Sequence, residues 1–314
     1  VYENKTYTGC CEKYQGDITK CEYSNTKADT IYLKEIHNFE NGICTGCGTY
    51  EPAQLVDNYY QISNAGNLLW FAKQVNNNNT DINAILTADI VVNKNVLNAD
   101  GTLNSDSALT EWTPIGNGSN HYTGTFDGNN HTISGLYFND KNTDYVGLFS
   151  WNSGTIKNIG IIDSYFSGKG YVGGVCGKNN DTIENSYNTG SVSGSGDNIG
   201  GVCGYNEYNR SKIKNSYNTG SVSGSLDVGG VCGSNVYGTI ENSYNTGSVS
   251  GSGSVGGVCG YNSSRSTIAN SYNTGLVSRS GWVGGVCGFN SGKIENSYYN
   301  NSVYSGKAVG YDKG

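Results

Sequence analysis

Val172-Gly-Gly-Val-Cys-Gly177 opens a segment that the chain repeats five times between residues 172 and 296. Closely similar hexapeptides stand at 199–204, 228–233, 255–260 and 283–288, and each is followed, after a variable piece, by Ile-x-Asn-Ser-Tyr. A near-constant period of 27 to 29 residues predicts a solenoid, in which each unit buries its apolar face only against its neighbours. The cysteines that mark this period are Cys176, Cys203, Cys232, Cys259 and Cys287.

The composition of the repeat selects the kind of solenoid. Gly, Ser, Asn, Thr, Val and Tyr dominate, and glycines bound short alternating runs such as Gly190-Ser-Val-Ser-Gly194, which favours short strands and tight turns. About 27 residues suits three short strands and three bends, and stacked units of this kind form a parallel β-helix with rungs ~4.8 Å apart. A propeller blade needs roughly 40 residues and a leucine-rich repeat needs regular leucines, so we expect an all-β parallel β-solenoid.

Stacking converts repeat positions into columns of like residues. Isoleucine and valine columns can fill a narrow core, and asparagine can satisfy both its own turn and the next rung. We interpret these columns as architectural. The apolar columns are Ile183, Ile213, Ile240, Ile268 and Ile294; Val192, Val222, Val249 and Val277; and Val172, Ile199, Val228, Val255 and Val283. The polar columns are Asn185, Asn215, Asn242, Asn270 and Asn296; Asn179, Asn206, Asn235, Asn262 and Asn290; and Tyr187, Tyr217, Tyr244, Tyr272 and Tyr298.

The repeated Val-Gly-Gly-Val-Cys-Gly and Ile-Glu-Asn-Ser-Tyr-Asn-Thr-Gly-Ser-Val-Ser-Gly resemble the GLUG repeat of bacterial surface proteins, over roughly residues 145–310. Phe126-Asp-Gly-Asn-Asn-His-Thr-Ile133 also resembles the usual lead-in to such repeats. The resemblance implies a right-handed β-helix, the hand that parallel crossovers prefer. Such repeats occur in adhesin-like proteins and in the non-catalytic part of zinc IgA proteases. Cysteine here replaces the aliphatic residue that is usual in the family.

The whole-chain composition excludes several classes of protein. The chain has 314 residues with 47 glycines, 14% charged residues and a net charge of −7, and its lysines and arginines are scattered, so we expect no nucleic-acid partner. No apolar run approaches 18 residues, so we expect no membrane insertion within this chain. Because the sequence has no methionine and no signal peptide, we interpret it as a mature or excised piece of a secreted precursor, located outside the cell or at the cell surface.

We divide the chain into a cysteine-rich segment at 1–57 and a β-solenoid at 58–314. Within the solenoid we assign a capping helix to 58–80, irregular rungs to 81–144 and GLUG-like repeats to 145–314. The segment 51–58 is interpreted as a link, and 85–92 as the first strand. Ser63 or Asn64 can cap a helix that covers the open first rung. The apolar residues at helical spacing are Leu68, Leu69, Phe71, Ala72 and Val75.

The first fifty residues contain a candidate metal site. In His37-Asn-Phe-Glu-Asn-Gly-Ile-Cys44-Thr-Gly-Cys47-Gly48 the spacing resembles a zinc knuckle, and Cys21 can supply a fourth tetrahedral ligand. A similar piece recurs in surface proteins of Gram-positive anaerobes. Disulfides fit a secreted cysteine-rich segment equally well, although its five cysteines leave one over. Apart from this structural zinc we expect no cofactor. The segment's remaining cysteines are Cys10 and Cys11.

The repeat cysteines are expected to form a ladder of buried thiols. Side chains on adjacent parallel rungs point the same way, which is poor geometry for a disulfide. Counting back from Asn152 in the degenerate first copy places Phe149 at the cysteine position. Whether the cysteine or the preceding valine points inward stays open at this stage.

The sequence offers little catalytic chemistry. The best carboxylate column places Glu184 and Glu241 on either side of Lys214, but it continues with Ala269 and is equally well explained as an exposed charge ladder. His-Glu-x-x-His, a nucleophile elbow and a phosphate-binding loop are all absent from the sequence. We therefore expect a protein that is not an enzyme.

We predict a non-enzymatic extracellular or cell-surface solenoid that acts as a spacer, an adhesin or a fibre subunit. The partners expected are host or cell-surface glycans or proteins, and other copies of the chain end to end. One alternative is the non-catalytic helper region of a larger secreted hydrolase such as an IgA-protease-like enzyme, and another is a self-assembling filament subunit. The repeat decays after Ile294 without a visible cap, so we expect either that more protein follows or that this end meets a partner.

Overall fold

A computed structural model describes residues 37–105, 108–278 and 280–313. The chain is a right-handed parallel β-solenoid with one short helix near the start of the described part. This confirms the predicted fold class. Three cysteines of the predicted N-terminal segment, Cys10, Cys11 and Cys21, lie outside the described residues.

Each regular turn contains five short strands, so the expected three strands per turn was wrong. The turn that begins at Val172 is built from Val172–Gly173, Cys176–Asn179, Thr182–Glu184, Tyr187–Asn188 and Ser191–Gly194. The corners between strands are shorter and more frequent than the composition suggested, because single residues form them. An asparagine in the left-handed region, with φ near 50°, turns the chain directly after the third strand of each repeat.

Five sheets run along the solenoid, and each collects one strand from successive turns. The cysteine sheet contains Phe149–Asn152, Cys176–Asn179, Cys203–Glu207, Cys232–Val236, Cys259–Asn262, Cys287–Asn290 and Val309–Asp312. The isoleucine sheet contains Gln54–Val56, Tyr59–Ile62, Asn83–Leu86, Thr125–Asp127, Thr155–Lys157, Thr182–Glu184, Lys212–Lys214, Thr239–Glu241, Thr267–Ala269 and Lys293–Glu295.

The other three sheets contain eight, six and five strands. The tyrosine sheet contains Ile90–Val91, Thr132–Ser134, Gly160–Ile162, Tyr187–Asn188, Tyr217–Asn218, Tyr244–Asn245, Tyr272–Asn273 and Tyr298–Tyr299. The valine sheet contains Tyr137–Asn139, Tyr165–Gly168, Ser191–Gly194, Val222–Ser223, Val249–Ser250 and Val277–Ser278. The glycine sheet contains Val172–Gly173, Asp197–Gly200, Leu226–Gly229, Ser254–Gly256 and Trp282–Gly284.

The core is the stack of apolar columns that the repeat predicts. Ile183 pairs in register with Ile213 and is fully buried, as are the valines of the two other columns in the central turns. The repeat cysteine and the valine before it are both inside the solenoid, because Val175 and Cys176 are each fully buried at a corner. Phe149 pairs with Cys176, as the degenerate copy predicted. Each such aliphatic side chain contributes roughly 1.5–3 kcal/mol by burial.

Buried asparagines form continuous ladders of side-chain amides inside the solenoid. In the cysteine sheet, Asn179 donates to Asn206 Oδ1 at 2.8 Å, and the series runs from Asn152 to the carboxylate of Asp312. A second buried ladder runs from Asn188 to Asn273 in the tyrosine sheet. Because every internal amide both donates and accepts between rungs, the ladders fix the register while satisfying polar groups in the core.

The helix α1 spans Ala65–Asn76 and covers the start of the core. Its N-cap is Asn64, whose Oδ1 accepts from the backbone N–H of Asn67 at 2.8 Å, as predicted. Phe71 packs edge-on against Tyr122 and at a tilt against Phe126, both in the first turns, with ring centroids 6.0 and 5.8 Å away. The amphipathic helix therefore closes the first rung.

Two expectations for the N-terminal part were wrong. The supposed link at 51–58 contains the strand Gln54–Val56, which forms a hairpin with Tyr59–Ile62 and extends the isoleucine sheet. Asp57 and Asn58 both have positive φ, the signature of a tight two-residue hairpin turn that was not recognised in the sequence. The supposed strand at 85–92 is two strands, because a turn separates Asn83–Leu86 from Ile90–Val91.

Within the described ranges, no helix has the length and apolar character needed to cross a bilayer.

Candidate functional sites

The predicted metal ligands lie on a small hairpin outside the solenoid. Phe39–Glu40 pairs antiparallel with Ile43–Cys44 through a turn at Asn41-Gly42, where both residues have positive φ. His37 precedes the first strand, and Cys44 ends the second. The chain then bends back, with Gly48 N–H donating to the Cys44 carbonyl at 2.9 Å and Gly48 itself at φ +71°. This bend brings Cys47 toward His37.

The structure brings three of the four predicted ligands together. One ligand atom from each of His37, Cys44 and Cys47 lies within 4.8 Å of the other two. His37 Nδ1 is 3.5 Å from Cys47 Sγ, which is also 3.0 Å from the Thr49 hydroxyl. The pKa of His37 is raised, chiefly by its hydrogen bond with Cys44 and against a smaller effect of burial. The fourth predicted ligand, Cys21, lies outside the described residues.

The hairpin is seated on the N-terminus of helix α1. Asn41 accepts from Ala65 N–H at 3.2 Å through its side chain and from Gly66 N–H at 2.9 Å through its carbonyl. Its side-chain amide donates to the Val91 carbonyl at 2.9 Å. Gly42 and Gly66 approach so closely that a Cβ on Gly66 would overlap the Gly42 carbonyl. The ligand-bearing hairpin is thus tied to the cap of the solenoid.

A stacked tyrosine column covers the outer face of the tyrosine sheet. The rings of Tyr187, Tyr217, Tyr244 and Tyr272 are 4.7 to 4.9 Å apart and within 4° of parallel. Tyr298 follows in register and is 67% exposed. The spacing is that of the rungs, so the column reports the regularity of the solenoid and also exposes phenol groups along one side.

A second aromatic surface lies on the outer face of the cysteine sheet, two residues after each cysteine position. We call it the aromatic strip, defined by Trp151, Lys178, Tyr205, Ser234, Tyr261, Phe289 and Tyr311. At its C-terminal end, Phe289 stacks between Tyr261 and Tyr311 at 5.1 and 5.2 Å. Trp282 of the neighbouring sheet joins this group at 5.2 Å.

The C-terminal end of the strip is open to solvent, with Trp282 50% and Tyr311 43% exposed. At the other end, Lys178 lies over the Trp151 ring at 4.0 Å and forms an ion pair with Glu207 at 2.7 Å. This surface was not predicted from the sequence. The recurring aromatic residue at the second position after cysteine is the signal that could have found it.

The charge column occupies the register expected from the repeat, with Lys214 paired between Glu184 and Glu241. The next residue of this column is Ala269, so Glu241 has no carboxylate beside it on the following rung. Within the described ranges, His37, Cys44 and Cys47 form the one group of three metal-ligating side chains.

The repeat cysteines form the expected ladder of free, buried thiols. They pair in register along the cysteine sheet, and each donates to the carbonyl of the residue two positions later, as Cys232 does to Ser234 at 3.2 Å. Burial raises the pKa of Cys176, Cys232 and Cys287. For Cys203 and Cys259 the effect of burial is outweighed by hydrogen bonds with the neighbouring cysteines, which lower the pKa to about 5. All five thiols are fully buried, which suits a packing role.

Comparison with known proteins identifies the repeat. The family model described as "The GLUG motif" matches residues 168–193, 195–223 and 224–250. A solved structure described as a "putative immunoglobulin A1 protease" from Bacteroides ovatus is similar, with a TM-score of 0.65 and 27% identity over 82% of this chain and 79% of that one. Residues 168–250 of the β-solenoid therefore match the GLUG motif.

Two curated relatives match parts of the chain. Halomucin from Haloquadratum walsbyi is 35% identical over 152 residues, 47% of this chain. A "Putative Gly-rich membrane protein" from Evansella cellulosilytica is 30% identical over 95 residues, 29% of this chain. The chain spans 2% of the length of the first relative and 11% of the second.

Proposed function

We propose that this chain is a non-catalytic, extracellular or cell-surface solenoid that binds neutral glycan chains along the aromatic strip. The regular turns supply a rigid rod, and the described residues place their aromatic and hydroxyl groups on its outside in rows. The surface-associated relatives support the location. The absence of a repeated acid–base pair in the described charge column supports a binding role over a hydrolytic one.

The open end of the strip carries this proposal. Tyr261, Phe289 and Tyr311 form a stacked series with Trp282 beside it, and large aromatic rings in contact with water are suited to the apolar faces of sugar rings. The rungs repeat every ~4.8 Å, comparable with the length of one sugar ring, so successive residues of a linear glycan can meet successive rungs. The net charge of −7 disfavours polyanionic glycans.

The experiment is affinity electrophoresis of the full chain in gels that contain neutral polysaccharides. Trp282→Ala together with Tyr311→Ala should abolish the retardation. The matched control is Tyr298→Ala, which removes a more exposed aromatic ring from a different sheet and should leave retardation unchanged. Equal retardation of all three proteins, or none for any neutral polysaccharide, would refute the glycan-binding role of the strip.

A second candidate function is the helper region of a larger secreted hydrolase. The similarity to the Bacteroides ovatus structure over most of both chains favours it. Under this function the solenoid holds a substrate or a catalytic domain, and the intact native polypeptide should contain a hydrolase domain. Its mass, measured on material from the source cells, separates the two functions.

End-to-end self-association stays a prediction. Light scattering over a dilution series, with negative-stain electron microscopy before and after reductant and chelator, tests it. Filaments that disappear on one treatment would identify the bond that joins copies, and isolated short rods under every condition would exclude assembly.

A further inference from the structure

We propose that His37, Cys44 and Cys47 bind one thiophilic divalent cation of the zinc class, and that this ion locks the N-terminal hairpin onto the cap of the solenoid. The ligand atoms have the spacing that such an ion requires. Zn–N bonds of ~2.0–2.1 Å and Zn–S bonds of ~2.3 Å give tetrahedral edges of about 3.6–3.8 Å. His37 Nδ1 and Cys47 Sγ are 3.5 Å apart, and all three ligand atoms lie within 4.8 Å of one another.

The backbone between the two cysteines is arranged for a shared ligand. The N–H groups of Cys44, Thr45 and Gly48 are all held by main-chain bonds to Thr49, Asn38 and Cys44, so the loop has little freedom left. A Cβ added to Gly48 would meet nothing within 4 Å. Glycine is therefore needed there for its positive φ, which redirects the chain so that both sulfurs face His37, and not for space.

Binding converts the two thiols to thiolates and uses the neutral imidazole of His37 as the third ligand. Two protons leave for the solvent, and the ion's two positive charges are balanced by the two sulfurs. The Thr49 hydroxyl, 3.0 Å from Cys47 Sγ, then donates to that thiolate and orients it. Water completes the tetrahedron. A disulfide would instead require an oxidant that accepts two electrons.

The position of the site indicates which part of the chain the ion stabilises. His37 lies before the first strand of the hairpin and Cys44 and Cys47 lie at and after the end of the second, so one ion ties both ends of the hairpin together. The opposite end, at Asn41 and Gly42, contacts the start of helix α1. Few apolar residues of the hairpin are buried, and a segment of this size needs such a staple to keep its shape.

The experiment loads the reduced full chain with Co²⁺ and follows the visible spectrum. We expect one equivalent of Co²⁺ per chain, sulfur-to-cobalt charge-transfer bands and the intense d–d bands of a tetrahedral site, all displaced by one equivalent of Zn²⁺. Cys47→Ser should weaken Co²⁺ binding by at least about 100-fold, and His37→Gln should shift the d–d bands. The matched control His131→Gln, which alters a histidine outside the proposed ligand set, should keep the spectrum of the unaltered protein.

Hydrogen exchange distinguishes stabilisation of the hairpin on the solenoid cap from ion binding alone. Zn²⁺ should slow exchange of the amides at residues 44–51 and at Ala65 and Gly66 in the unaltered protein, and not in Cys47→Ser. The proposal is overturned if reduced protein takes up no stoichiometric Co²⁺, if Cys47→Ser and His131→Gln bind it equally, or if mass spectrometry of native protein finds Cys44 or Cys47 in a disulfide. Exchange unchanged by Zn²⁺ would overturn the lock.

Discussion

At the scale of the residue, asparagine has two structural roles, which only its position in the repeat distinguishes. At Asn185, Asn215, Asn242, Asn270 and Asn296 the backbone is left-handed, with φ between 44° and 50°, and the side chains bond from rung to rung on the outside. At Asn206 and Asn235 the side chain is buried and its amide belongs to the internal ladder. The first role makes a corner and the second sets the register between turns.

The internal ladder should be costly to interrupt. Asn235→Ala removes the acceptor of the Asn206 amide and the donor to Asn262 Oδ1, and each buried group left without its partner costs about 1–3 kcal/mol. We expect the free energy of unfolding, measured by denaturant titration, to fall by about 2–5 kcal/mol. Asn209→Ala, on an exposed loop, is the matched control and should change it by less than about 0.5 kcal/mol. Equal effects would mean that the ladder adds no stability.

A partly buried carboxylate should make stability depend on pH. Burial raises the pKa of Asp227 to about 6, although hydrogen bonds from Ser254 and Ser234 oppose this. Between about pH 4 and pH 6 the folded state holds a proton that the unfolded state has lost, so the free energy of unfolding falls as pH rises, by at most about 3 kcal/mol. Asp227→Asn keeps a residue that tolerates the positive φ of 50°.

The variant should therefore be more stable than the original protein at pH 7 and equally stable at pH 3.5. Denaturant titrations of both proteins across this range measure the difference. Asp81→Asn, at an exposed position before the strand Asn83–Leu86, is the control and should not flatten the profile. A variant that is less stable at pH 7 would show that the ionised carboxylate contributes favourable bonds.

At the scale of the element, the contact between the N-terminal hairpin and helix α1 reverses the usual effect of replacing a helical glycine by alanine. Replacing a helical glycine by alanine usually stabilises a helix by about 1 kcal/mol. Gly66→Ala instead places a Cβ against the backbone of Gly42, and such overpacking costs typically 1–3 kcal/mol. We expect a net loss of stability and faster hydrogen exchange in residues 39–44. Gly118→Ala, where a Cβ meets nothing within 4 Å, should change neither quantity. A stabilised Gly66→Ala protein would show that the hairpin moves aside freely.

The elements that the sequence predicted well are those that repeat. Five copies place like residues in register, so the repeat spacing alone predicts the columns and the ladder of buried thiols. It also predicts that Phe149 pairs with Cys176. The elements that were missed occur once. The hairpin turns Asn41-Gly42 and Asp57-Asn58 are strong local signals, but their flanking strands are short and largely exposed, so no apolar alternation marks them. For the candidate metal site, spacing suggested His37, Cys44 and Cys47, and the fold of the hairpin was needed to bring them together.

At the scale of the whole molecule, the solenoid behaves as a stack of nearly equivalent turns. Each turn contacts its neighbours through the same five strands, so stability is approximately a sum over turns and their interfaces. Regularity therefore lengthens the rod and multiplies the exposed rows without creating a new core. This is why the proposed binding surface lies along the rod, on the aromatic strip, while the candidate metal site lies at the irregular cap, where the repeat does not determine the structure.

Equivalence of the turns predicts that one can be removed. Deleting residues 224–250, which coincide with one GLUG match, joins Ser223 to Gly251 and brings Cys203 beside Cys259 in register. We expect a folded rod that is shorter by one rung, ~4.8 Å, with unchanged β-sheet content by circular dichroism and a reduced maximum dimension in small-angle X-ray scattering. Deleting only residues 237–250 is the control, because it removes the isoleucine, tyrosine and valine strands of one turn and joins a cysteine strand directly to the next glycine strand. This protein should aggregate or unfold. If the protein lacking residues 224–250 does not fold, the turns are not interchangeable and the rod depends on contacts that the repeat does not contain. If both deletions fold equally well, the register of the columns does not determine folding.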